Sequence, residues 1–161
     1  MFFIITIILC LVFWLICYLG TGSDEKNIKS IASYPDAIQN LVKKDPVLGP
    51  KVKINKALTV FISNLITFTI VLTICGYLVR TDSWIRNFCY VFGMGMILNL
   101  FDYFIIDLMW WRHSSRIRFT SIQASPEMYL DPAKHKASFI RACPMFFLAA
   151  LIASLFLMLT M

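Results

Sequence analysis

The sequence predicts an all-α polytopic integral membrane protein with four transmembrane helices. Three observations predict it. The 161 residues are 59% hydrophobic and only 15% charged, against roughly 45–50% and 25% in soluble domains. The mean hydropathy is +0.74. Four stretches reach the roughly 20 apolar residues that a helix needs to cross a bilayer core about 30 Å thick. The stretches show no alternation of polar and apolar residues, so helices are predicted and a closed barrel is not. The same composition excludes a coiled coil, a disordered chain and a nucleic-acid binder, despite a net charge of +6.

The spans are predicted at 1–19, 57–79, 88–111 and 142–160, within a single membrane domain. The first has no charged residue, no basic residue ahead of it and no small-x-small cleavage site, so it reads as an uncleaved anchor. Orientation follows from Lys and Arg in the loops. Loop 20–56 carries Lys26, Lys29, Lys43, Lys44, Lys51, Lys53 and Lys56; the segment from 112 to Arg141 carries Arg112, Arg116, Arg118, Lys134 and Lys136 besides. Between the second and third spans there are only Arg80 and Arg86. Both termini are therefore expected outside and both long loops in the cytoplasm, with Trp84 at one interface and Trp110 and Trp111 at the other. The five cysteines all fall in spans and form no CxxC or Cys/His cluster, so no metal site or cofactor is expected.

In the first loop, Pro35 or Asp36 opens a short helix, on which Ile38, Leu41 and Val42 recur at helical spacing. This amphipathic turn, followed by its lysines, reads as a segment lying on anionic lipid headgroups, or as a topology determinant alone. In the second long loop, Arg112, His113, Arg116 and Arg118 are the candidates for an anionic-lipid or phosphate contact, because the planar guanidinium fits phosphate. Glu127, Asp131 and His135 match no ligand spacing and read as solvated loop residues.

The third span holds the most informative residues. At about 100° per residue, Gly95, Asn99 and Asp102 lie within about 60° of one another, and Asn64 on the second span is a candidate partner for that face. A carboxylate at mid-span is costly and must face protein or water. Asp107 lies nearer the inner interface, and Arg141 is its expected partner, with Pro144 taken as the start of the fourth helix. The pairs Ala149/Ala153 and Ala150/Ser154 form a small-residue surface for close helix approach, chiefly inside the bundle.

The run Asn99-Leu100-Phe101-Asp102, then Asp107, Trp110-Trp111 and His113, resembles a segment of small four-span membrane proteins of Gram-positive bacteria. That resemblance implies no activity. It marks Asn99, Asp102, Asp107 and His113 as the positions to test.

No catalytic constellation is legible, and an enzyme is not the first expectation. The reading is an accessory, regulatory or complex-forming protein of the bacterial cytoplasmic membrane. Its expected partners are anionic lipid and a homo-oligomer or larger membrane complex. The alternatives are an oligomeric transporter or channel subunit built on Asn99 and Asp102, and an inner-leaflet lipid-headgroup enzyme.

Overall fold

The computed structural model describes residues 1–160. The described chain is all-helical, with four helices long and apolar enough to span a membrane, the pattern of a multi-pass membrane protein. In chain order the elements are α1 (Phe2–Leu19), α2 (Asp24–Asn27), α3 (Asp36–Lys44), α4 (Ala57–Tyr77), α5 (Trp84–Phe101) and α6 (Ala133–Leu159), with a π-helical run (Asp102–Trp111) directly after α5. Two compact units divide the chain. Unit 1 comprises 1–11, 55–101 and 139–161; unit 2 comprises 12–54 and 102–138.

Unit 1 is built from α4, α5 and most of α6. Its helices approach closely where side chains are small. A Cβ on Gly95 would lie 2.7 Å from the Phe146 ring, and one on Gly76 would lie 2.7 Å from Leu157. Ala149, Ala150, Ala153 and Ser154 are fully buried, so the small-residue surface of α6 is spent inside unit 1. Asn87 closes the α4–α5 turn: its amide accepts from Thr81 N–H at 2.7 Å and donates to Thr81 O at 2.9 Å.

The last helix departs from expectation. It begins at Ala133 rather than 142, and Pro144 lies inside it. The overlooked signal is Asp131-Pro132. The Asp131 carboxylate accepts from Ala133 N–H at 2.9 Å, and a proline fits a first turn, where its missing N–H costs nothing. Pro144 is tolerated within the span, as prolines often are in membrane helices.

Unit 2 is the larger departure. The two long loops fold together around a core of Ile28, Ile31, Tyr34, Ile38, Val42, Leu48, Trp111, Ile117, Phe119 and Tyr129. The apolar face of α3 is covered by this core, with Ile38 and Val42 fully buried, so it is not free to lie on lipid. The aromatic residues of the other loop are what cover it. Trp111 is 6% exposed, a core residue rather than an interfacial anchor.

Tyr34 is the hub of that core. Its ring centre lies 4.5 Å from Trp111 and 5.1 Å from Phe119, and its hydroxyl donates to Ile117 O at 2.8 Å. Burial pushes the Tyr34 phenol above its ordinary value, and Tyr129 and Asp24 add to the shift, so it remains a donor. Asn27, also buried, donates to Arg116 O at 3.0 Å and accepts from Gly22 N–H at 3.3 Å. Gly22 has φ +108, where a Cβ would be strained and would meet the Arg116 guanidinium at 2.6 Å.

Tyr34→Phe strands the buried Ile117 carbonyl and is expected to cost about 1–3 kcal/mol. Thermal unfolding of the detergent-purified protein measures it; an unchanged midpoint would show the bond to be dispensable.

Candidate functional site

The site lies in unit 2 and starts from the π-helical run. On an ordinary α-helix, residues five apart sit about 140° from each other, which would put Asp102 and Asp107 on different faces. In a π-helix each turn is wider, with hydrogen bonds from i to i+5, as in the bond from Arg112 N–H to Asp107 O at 3.4 Å. Residues four and five apart then share a face. Asp102, Ile106, Asp107 and Trp111 consequently line one cavity of about 280 Å³.

The other walls come from α1 and the segments after it, with Phe13, Cys17 and Ser33, and from the first two turns of α6, with Lys134, His135 and Ser138. The decisive contact is between Asp107 and His135. The carboxylate Oδ1 lies 2.9 Å from Nδ1 of His135, whose side chain is 4% exposed. The His135 ring also packs edge-on against Trp111, with centres 4.7 Å apart. Its Nε2 is buried and has no hydrogen-bond partner among the described residues. Lys134 does not neutralise the cavity, because its ammonium is bound to Asp36 at 2.7 Å. Asp102 is half-buried and has no hydrogen-bond partner among the described residues.

The arrangement therefore offers two carboxylates, one already fixed by an imidazole, beside aromatic walls. It can accept a proton, orient an imidazole, or hold a small cation. No group of three or more His, Cys, Asp or Glu side chains suited to a metal ion exists among the described residues.

The residues singled out from sequence separate into several places. Asp102 and Asp107 come together in the cavity. Asn99 belongs to unit 1, where it is buried and donates to Phe139 O at 3.3 Å, and Gly95 packs on Phe146. Asn64 is exposed on α4. The polar face expected of these four residues is thus distributed over three environments. Asp107 has a histidine partner that sequence reading set aside as solvated, because α6 starts earlier than expected; Arg141, its expected partner, belongs to unit 1.

The arginine cluster is largely occupied from within. Arg116 donates to Tyr18 O at 3.3 Å and Thr21 O at 3.0 Å, and lies 4.0 Å over the Tyr18 ring. It thereby adds a donor to the Tyr18 carbonyl in the last turn of α1, which also accepts from Thr21, and bonds the Thr21 carbonyl just beyond the helix. Arg112 donates to Leu130 O. Arg118 is half-buried, and His113 is exposed.

Fold and site together define the class: an all-helical multi-pass membrane protein with an acidic, histidine-bearing cavity. The chain matches no protein-family model, no curated protein and no solved structure.

Removing one partner of a buried charge-assisted pair costs about 3–5 kcal/mol. His135→Ala is expected to destabilise on that scale and Asp107→Asn less, since an amide can still accept from the ring. A double-mutant cycle on unfolding should give a coupling above about 1 kcal/mol. Strict additivity would contradict the pair.

Proposed function

We propose that this chain is a transport subunit of a bacterial cytoplasmic membrane. It binds a small organic cation, or a proton in its place, at the cavity of Asp102, Asp107 and His135. The single observation supporting the reading is the gathering of two carboxylates and a histidine around one cavity, next to helices apolar enough to span a membrane. A carboxylate in an apolar span needs a proton or a cation as its partner. His135 answers Asp107, while Asp102 has no cation beside it, because Lys134 is held by Asp36. Intramembrane acids and histidines in series are the usual parts of proton relays. The volume of about 280 Å³ sits at the small end of ligand pockets, which suits a cation of a few heavy atoms. Trp111 and Phe13 add aromatic wall, favourable to an organic cation.

Two other readings receive less support. A lipid-headgroup enzyme would use the Asp107–His135 pair as a base, with Nε2 of His135 taking the proton of a water or substrate hydroxyl; the second carboxylate, Asp102, has no assigned part in that reading. An accessory protein acting through its basic loops would use the exposed Lys26, Lys29, Lys43, Lys44, Lys53 and Lys56, whereas the apolar face of α3, Arg112 and Arg116 are engaged within unit 2.

Guanidinium is a suitable probe: small, permanently charged and able to bridge a carboxylate. In proteoliposomes with an outward-directed proton gradient, the wild-type protein is expected to accumulate labelled guanidinium. Asp102→Asn is expected to lower that flux at least about tenfold, the scale of one lost ionic contact, with helical content unchanged. Equal flux in wild type and variant would overturn the reading.

A further inference from the structure

The wall of the unit 2 cavity contains a cation of its own. Lys134 lines the cavity together with Asp102, Asp107 and His135. Its ammonium is engaged elsewhere: Nζ lies 2.7 Å from Oδ1 of Asp36. Asp36 does not line the cavity, and its side chain is 76% exposed, against 37% for Lys134. The lysine stem therefore follows the cavity wall while its charge is turned out to a carboxylate in water.

Both ends of this contact are fixed by the fold of unit 2. Asp36 stands in the first turn of α3, which is anchored in the core by the fully buried Ile38 and Val42. Lys134 stands in the first turn of α6, next to His135, whose ring is held by Asp107 and Trp111. The ammonium can change partners without any movement of these helices, because it rides on a flexible four-carbon stem. A cavity of about 280 Å³ is only about 8 Å across as a sphere, so an ammonium turned inward stands close to its carboxylates. An exposed ion pair contributes little by itself, because water screens it. Loss of the Asp36 carboxylate leaves the ammonium a choice between water and two acids in a low-dielectric pocket, where the attraction is several times stronger.

We propose that Lys134 is a tethered competitor for the cation position of the cavity, and that Asp36 keeps that position open by holding the ammonium outside. The effect on a bound cation rests on the reading of this cavity as a cation site. Where the ammonium goes when Asp36 is removed does not. The proposal also narrows the ligand class. A position that a lysine ammonium can fill suits a primary ammonium or guanidinium group, which presents the same kind of N–H donors.

The first measurement follows Lys134 alone. The full chain in lipid nanodiscs is treated briefly with N-hydroxysuccinimidyl acetate, and acetylation of Lys134 is read by peptide mass spectrometry against the exposed Lys29. Asp36→Asn is expected to slow Lys134 acetylation at least about threefold, because the ammonium enters the cavity, and Asp36→Glu to keep the wild-type rate. Unchanged or faster acetylation in Asp36→Asn would overturn the proposal. The second measurement is isothermal titration with guanidinium. Asp36→Asn is expected to weaken binding about threefold to fivefold, the scale of one exposed ion pair, and adding Lys134→Met to restore it. Equal binding in wild type and Asp36→Asn, or no recovery in the double variant, would overturn the competitor role. Slower acetylation in Asp36→Asn with no guanidinium bound by wild type would instead overturn the cation-site reading and leave the two positions of Lys134 standing.

Discussion

A carboxylate inside an apolar helix has to be answered by another group, and in this chain Asp107 is answered by His135. Much of unit 2 serves that contact. The π-helical run turns Asp107 toward the wall it shares with Asp102, Asp131 caps an early first turn of α6 that carries His135, and Trp111 packs on the imidazole ring. Around them, Tyr34 ties both loop segments into one core through its ring contacts and the bond to Ile117 O. The energetic scale explains the investment. A buried charge left alone is far more costly than a buried pair is beneficial, so the surroundings are constrained to preserve the pair.

What hydropathy can reveal was legible. The four spans were apparent because lipid demands unbroken apolar length, and the small residues of α6 were correctly read as packing surface. The helix of α3 was found from Pro35, Asp36 and the spacing of Ile38 and Val42. Its destination was misread, because amphipathicity states that a face will be covered and not by what. Lipid and a folded partner segment look alike in sequence, and the partner lies some eighty residues away.

The site was half legible for a similar reason. Asp102 and Asp107 stood out as charges in an apolar run, yet their common face follows only from the i to i+5 register. Local sequence does not signal that register, whereas α-helical arithmetic separates the two side chains. His135 was hidden by a helix boundary. Pro144 was read as a start because proline favours first turns, while Asp131-Pro132 had the same signal with a side-chain cap added. The arginines were legible as cations but not as backbone donors: Arg116 bonds the Tyr18 carbonyl in the last turn of α1 and the Thr21 carbonyl just after it, a use that depends on where two distant segments meet.

The central claim, that Asp102, Asp107 and His135 act as one cation-responsive site, is tested most directly by nitrogen NMR of histidine-labelled protein in lipid nanodiscs. Only His113 and His135 contribute signals. On titration with guanidinium, the His135 ring resonances should move while those of exposed His113 stay fixed, and Asp102→Asn should abolish the movement. His135 resonances that ignore the cation throughout the titration, or that respond equally in Asp102→Asn, would contradict the account.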